Sequence, residues 1–254
     1  MQPWDIRQTL DDIALSLVFF TRLPLPAFDF QGRTLAQAIW AAPLAGLAVA
    51  LVGGLVYTLA SACALAAGPS AALAIGAMML ATGALHEDGL SDVADGFGGG
   101  GTRERKLEIM RDSRIGSYGA AALCLSLLVR WSALAELGGT AYVLCALIAA
   151  HMASRCMAGA FMHFLPPART DGLAVGAGPV TAQTAAIGAA LGAAALLLLG
   201  IGGAMATLLL LAVVFWTFRA LCLRQIDGHT GDTVGALQQF GEIAVLLSAS
   251  VFLS

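Results

Sequence analysis

Long apolar stretches separated by short polar ones make up most of the chain. Seven of them read as membrane-crossing helices: residues 36–60, 70–85, 117–136, 138–162, 181–200, 203–223 and 234–254. A helix needs about 20 mainly apolar residues to cross the hydrocarbon of a bilayer; the second stretch is short for this and the last is the weakest candidate. Ahead of them, Ile6, Leu10, Ile13, Ala14 and Leu17 recur at helical spacing over residues 5–20, with Asp and Arg elsewhere. That pattern predicts an amphipathic helix lying in the membrane interface or against the bundle, stopped by Pro24 and Pro26. The expected fold is all-α: a polytopic integral membrane helical bundle of about six to seven transmembrane helices plus an N-terminal interfacial helix, forming a single membrane-embedded domain over residues 1–254.

Composition agrees with the pattern. The chain is 59% hydrophobic and 11% charged, with a mean hydropathy of +0.83, whereas soluble domains are roughly a quarter charged. The N-terminal stretch carries Asp5, Asp11 and Asp12 and lacks a small-residue cleavage site, so no secretory signal peptide is expected. Cys63, Cys124, Cys145, Cys156 and Cys222 are scattered singly and read as buried small hydrophobes. The net charge of −3 singles out no partner; no nucleic acid is expected, and a homo-oligomer is left open.

The positions of Lys and Arg set the orientation, because cytoplasmic loops retain positive charge. Arg7, Arg22 and Arg33 precede the first crossing, and Arg103, Arg105, Lys106, Arg111 and Arg114 lie between the second and third. Arg169 follows the fourth, and Arg219 and Arg224 close the sixth, while the connections near residues 61–69, 137–139 and 200–203 hold no Lys or Arg. With the N-terminus inside, the polar loops at about 86–116, 163–180 and 224–233 all fall on the cytoplasmic side of a bacterial inner membrane.

The first loop concentrates the chemistry. Residues 86–106 read HEDGLSDVADGFGGGGTRERK. If 86–97 are helical, Asp88, Asp92 and Asp95 fall at i, i+4 and i+7 on one face, and Glu87 points about 100° away. Carboxylates along one stripe repel one another, and all-oxygen ligands favour a hard cation such as Mg²⁺, Mn²⁺ or Ca²⁺. Gly98 to Gly101 let the backbone turn or approach a phosphate closely. Arg103, Arg105 and Lys106 follow, with EIMRDSRIGSYG beyond, and such cations can grip a diphosphate. Acids for a metal beside bases for phosphate are the equipment of phosphoryl transfer.

A second constellation, RQIDGHTGDTVGALQQFGE, places Asp227 and Asp232 in a short loop and Glu242 within the last apolar segment. An acid at membrane depth implies either a functional role or pairing with Arg155 or His151 of the fourth segment. Arg155 and His151, four residues apart, share a helix face that either contacts substrate phosphate or donates hydrogen bonds between helices. Arg130 is expected to snorkel outward. His86 and His163 have no second His at ligand spacing, and Gly188 and Gly192 form a GxxxG packing motif.

In order, FFTRLPLP, HEDGLSDVADGFGG, KLEIMRDSRIGSYG and GHTGDTVGALQQFGE resemble the cobalamin synthase, or adenosylcobinamide-GDP ribazoletransferase, family over nearly the whole chain. The resemblance implies a Mg²⁺-dependent membrane enzyme that joins adenosylcobinamide-GDP to α-ribazole or its 5′-phosphate and releases GMP. It marks Glu87, Asp88, Asp92 and Asp95 as the acidic motif, Lys106, Arg111, Asp112, Ser113 and Arg114 as the next block, and Thr230, Gly231, Asp232 and Glu242 as the last. The chain departs from the family at Glu87, where an apolar residue, often Leu, is the rule. The implied assignment is metal at Asp88, Asp92 and Asp95, and a general base at Asp95 or Asp232. Lys106, Arg111, Ser113, Arg114, Arg155 and Thr230 are placed around the phosphates, with Glu87, Asp112, Asp227 and Glu242 in support. The DG dipeptides are also similar to those of CDP-alcohol phosphotransferases, without their full spacing, and a cation-coupled transporter using Glu242 and Arg155 is the rival class.

Overall fold

In a lipid environment every backbone N–H and C=O has to find its partner within the protein, and a helix does this segment by segment. The computed structural model, which describes residues 6–26, 32–170 and 176–253, is accordingly helical, with no strand among the described residues. Its helices are α1 (Ile6–Phe20), α2 (Leu35–Ala38), α3 (Ala42–Ala62), α4 (Ala67–Thr82), α5 (Leu85–Gly99), α6 (Arg103–Ile109), α7 (Ser117–Leu137), α8 (Thr140–Phe164), α9 (Ala182–Leu196), α10 (Gly200–Ile226) and α11 (Gly231–Phe252). The chain is thus an all-α, multi-pass membrane bundle. Helix α8 forms its centre, packed by α3, α9 and α11. Large apolar side chains such as Leu55, Leu209, Val213 and Val251 point outward, where a bilayer covers them.

Five helical stretches are long and apolar enough to cross, or six if the bent pair α4–α5 counts as one span. Seven were expected from hydropathy. The difference lies in Ala182–Ile226, a single apolar stretch of 45 residues that contains both expected segments 181–200 and 203–223. At 1.5 Å per residue it is about twice the thickness of a bilayer core. It breaks at Leu197–Leu199 and at Gly200, whose φ of 75° turns the chain, so α9 and α10 pack against each other as two legs.

The short second segment ends in a bend. Gly83 and Ala84 both adopt left-handed backbone, with φ of 64° and 56°, and α5 leaves α4 at 89°. Arg22 secures the corner by donating its backbone N–H to Ala81. Helix α5 therefore turns out of the span direction and lies across the N-terminal ends of α7 and α11.

Helix α1 exposes Ile6 and Leu10 and buries Asp12. The Asp12 carboxylate accepts hydrogen bonds from Arg33 (2.6 Å and 2.9 Å) and from the Trp40 indole (2.8 Å). An apolar face turned away from the bundle while the acid faces inward suits a helix lying in the interface; residue 5, where that pattern began, falls outside the described residues. Cysteine burial differs from expectation: only Cys222 is fully buried, and Cys63 and Cys124 are exposed, where lipid-facing positions accept a small apolar side chain. Gly188 lies against Trp40, and Gly192 against Cys156 and Ala153, the close packing that their spacing predicted.

Candidate active site

Helix α5 carries the acidic motif, and glycines hold it in place. A Cβ on Gly89 would sit 2.7 Å from the Asp232 carbonyl oxygen, and one on Gly235 would sit 3.4 Å from the His86 Cα. Only glycines allow α5 and α11 to approach so closely, and this approach sets Asp232 beside Asp88. Two cavities flank the junction. One, of about 460 Å³, is lined by Glu87, Asp88, Asp92, Arg111, Ser113 and Arg114 together with apolar side chains. The other, of about 210 Å³, is largely apolar and contains Asp88 and Asp232. Asp88 lines both.

Asp92 is pushed up to about 7, first by burial and then by the neighbouring charges of Asp88, Asp232 and Asp95, against which Arg169 acts. A carboxylate held this close to others binds a proton or a cation more readily than one in water. Asp95 has another task. Its two oxygens accept the backbone N–H groups of Gly116 (2.6 Å) and Gly119 (2.9 Å) at the start of α7, satisfying donors that have no partner inside the helix. The expected three-aspartate stripe is thus divided, with Asp88 and Asp92 on the cavity and Asp95 capping α7. Among the described residues no three His, Cys, Asp or Glu side chains converge as a preformed metal cage.

The glycine run also differs from the expected phosphate cradle. Gly98 and Gly99 complete α5, a Cβ on Gly98 would meet the Tyr118 ring, and one on Gly100 would sit 2.8 Å from the Lys106 backbone nitrogen, so these positions pack α5 on its neighbours. Among the adjacent bases, Arg103 reaches across to the carbonyls of Ala168 and Ile226 and to Asp227 (3.2 Å). Arg105 pairs with Glu108 at 2.7 Å, while Lys106 is half-buried and lines neither cavity. Arg111, Ser113 and Arg114 do reach the larger cavity. Asp112 holds Arg114 through contacts of 2.6–3.2 Å, and these hydrogen bonds lower the Asp112 carboxyl to about 2.

The C-terminal motif is positioned by a short backbone pairing. Ala168 donates to the His229 carbonyl (2.8 Å), and His229 donates to that of Pro166 (2.9 Å). Arg169 is thereby placed 3.4 Å from Asp232 and also donates to the Leu107 carbonyl at 3.0 Å. Thr230 caps α11, accepting the Thr233 N–H (3.3 Å) and donating to Asp232 at 3.1 Å. Arg169 was legible in the sequence only as one positive charge in a loop.

Beneath α5 lies a buried ionic network. Arg130, expected to snorkel, is 2% exposed, and its Nη1 donates to both Glu87 and Glu242 at 3.0 Å. Glu242 also accepts from Gln238 (2.7 Å), which donates in turn to Ser154 (3.0 Å). Gln239 donates to Gln238 at 2.9 Å and accepts from Ser126 at 3.0 Å. Glu242 thus pairs with Arg130, which was not expected, while of the two expected partners His151 lies at 3.5 Å and Arg155 turns to His151. Arg155 donates to His151 Nδ1 at 2.7 Å and lines neither cavity. Glu87 anchors α5 to Arg130 of α7, which in turn holds Glu242 of α11.

A helical bundle with acids and bases gathered at one end defines the class, a multi-pass membrane protein with a polar site at one face. The profile of the family described as cobalamin-5-phosphate synthase (CobS) matches residues 12–250. The adenosylcobinamide-GDP ribazoletransferase of Mesorhizobium japonicum is 66% identical over 248 residues, covering 98% of this chain and 96% of the relative. Proteins of the same name from Bradyrhizobium diazoefficiens (49% over 252 residues, 97% and 96% coverage) and Azorhizobium caulinodans (44% over 255 residues, 96% and 96%) are also similar. No solved structure matches. The chain belongs to the cobalamin-5-phosphate synthase family, which removes the transporter and CDP-alcohol phosphotransferase readings.

Proposed function

We propose that the chain transfers the cobinamide phosphate group of adenosylcobinamide-GDP to α-ribazole or its 5′-phosphate, with release of GMP, at the end of the bundle where α5 crosses α7 and α11. The observation that carries this reading is Asp88, shared between a large cavity lined by acids and arginines and a smaller apolar one lined also by Asp232. Two reactants meeting at one carboxylate is what a transfer between them requires.

The donor set suits Mg²⁺. Asp88 and Asp92 offer hard oxygens, burial and then the neighbouring acids raise the proton affinity of Asp92, and Mg²⁺ is commonly held by one or two carboxylates plus substrate phosphate. When bound, the ion supplies charge neutralisation on the diphosphate oxygens. Arg111 and Arg114 face the same cavity and stabilise charge that develops as the phosphoanhydride bond to GMP breaks. Ser113 offers a hydroxyl beside them. Asp232, on the other cavity, accepts the proton of the attacking ribazole hydroxyl. Arg169 and Thr230 fix its orientation, and Asp95, committed to the α7 backbone, is no longer a candidate for that base. The loop face is read as cytoplasmic, in a bacterial inner membrane, from the distribution of Lys and Arg.

GMP release by detergent-purified protein tests the reading. Asp92→Asn weakens the Mg²⁺ dependence, while Asp232→Asn lowers turnover at saturating Mg²⁺. Wild-type behaviour in both, or full activity in EDTA, refutes it. Labelling of a single cysteine introduced at Ser113, from outside intact cells, refutes the cytoplasmic placement.

A further inference from the structure

The smaller cavity lies between α1, the Leu35–Ile39 segment, α5 and α11. Phe19, Phe20, Leu35, Ile39, Met162 and Val234 contribute most of its wall. The Phe20 ring stacks nearly parallel on the His86 imidazole, 5.9 Å between centroids and 10° between planes. Apart from that imidazole, the polar side chains of the lining are two carboxylates, Asp88 and Asp232, which give a largely apolar site an anionic edge.

We propose that this cavity seats the aromatic base of the acceptor nucleoside, with the ribose directed to Asp88 and Asp232, an assignment that rests on the transfer reading above. Three features select this occupant. A cavity of about 210 Å³ accepts a bicyclic aromatic ring and excludes a corrin macrocycle. Its wall suits a flat apolar base, whose area drives binding at about 25 cal/mol per Å² buried. Guanine, the other bicyclic base in the reaction, could offer its ring N–H and amino group to the carboxylates, but its carbonyl and ring-nitrogen acceptors would then turn to a wall where His86 is the one lining side chain with an N–H, and burying such groups unpaired is costly. The benzimidazole of α-ribazole presents far less polar surface. The ribose then lies at the one edge that offers a base, Asp232, next to the carboxylate shared with the diphosphate cavity.

The experiment uses the full chain in detergent and reads KM separately for α-ribazole and for adenosylcobinamide-GDP, together with equilibrium dialysis of α-ribazole in the absence of donor and Mg²⁺. Val234→Phe fills the cavity and raises the KM for α-ribazole about tenfold or more, leaving the KM of the donor within about twofold. Met162→Ala enlarges it and shifts preference toward a riboside with a larger, naphthimidazole base; it also serves where Val234→Phe does not fold. The inference is overturned if the KM of the donor rises instead. It is equally overturned if GMP, but not α-ribazole, binds in dialysis, or if Val234→Phe removes only a co-purified phospholipid. Should wild-type protein release no GMP, the transfer reading fails on its own. Dialysis then still decides the cavity: saturable α-ribazole binding lost in Val234→Phe upholds it, and no binding overturns it.

Discussion

Replacing Arg130 with Met isolates the buried network from the reaction. Arg130 Nη1 lies 3.0 Å from one oxygen of Glu87 and 3.0 Å from one of Glu242, so those two oxygens are at most about 6 Å apart. Without the guanidinium they repel by about 3 kcal/mol at an effective dielectric near 20. Breaking a buried pair by removing one partner costs about 3–5 kcal/mol in proteins generally, the same range by an independent route. For a chain of this size 1 kcal/mol moves the melting temperature by about 2–4 °C, so Arg130→Met should melt about 6–20 °C below wild type in detergent. The double variant Glu87→Leu with Arg130→Met removes one charge of each sign and leaves Glu242 with Gln238 and His151. It should recover about half of the loss or more, because a matched pair replaced by apolar groups is often neutral. Thermal unfolding followed by tryptophan fluorescence measures both. A single variant that melts within about 2 °C of wild type, or a double variant no more stable than the single, refutes the argument.

Further outcomes follow from the site. Asp92 holds its proton up to about 7, against an ordinary value of 3.8; bound metal displaces that proton, so apparent Mg²⁺ affinity should rise about tenfold per pH unit below about 7 and level off above it. The sign for metal-free protein is opposite: between these values the folded state binds the extra proton, so stability falls as pH rises through that window, as a pH series of melting curves will show. Gly119→Ala would drive a Cβ into the Asp95 carboxylate and Ser91, and should lower stability by about 1–3 kcal/mol together with activity. Arg169→Ala deprives Asp232 of its cation and Leu107 of a donor, and should lower kcat about ten- to a hundredfold, the equivalent of about 1.5–3 kcal/mol for a charged hydrogen bond, with Arg169→Lys intermediate.

The helices were largely legible because they are set locally. Apolar runs of membrane length and the carboxylate period in 86–97 are properties of neighbouring residues, and α5 lies where that period does, whereas the Thr230 cap that starts α11 three residues ahead of the expected segment was not read. The pairing of charges was not legible. Arg130 reads as a snorkelling residue when only its own segment is considered, because its partners are 43 and 112 positions away and depend on the 89° bend between α4 and α5. The same bend explains Asp95: helical periodicity correctly puts it on one stripe with Asp88 and Asp92, but the stripe runs past the start of α7, whose unpaired N–H groups take the last carboxylate.

This division of labour explains why Glu87 and Asp88, adjacent in sequence and both on the larger cavity, have different partners. A step of about 100° around α5 carries the side chain from the cavity edge to the bundle interior, where Arg130 neutralises Glu87. The buried pair then resists rotation of α5 about its axis, because any turn that withdrew Glu87 would part its buried carboxylate from the Arg130 guanidinium. A helix that lies across the bundle ends is thus fixed at two points, by Glu87 near its start and by Asp95, which accepts the Gly116 and Gly119 N–H groups, near its end. Charge pairing inside the bundle thus holds the carboxylates Asp88 and Asp92 toward the cavity, and if these hold Mg²⁺ as proposed, a loosened Arg130 should weaken the Mg²⁺ response of GMP release as well as stability.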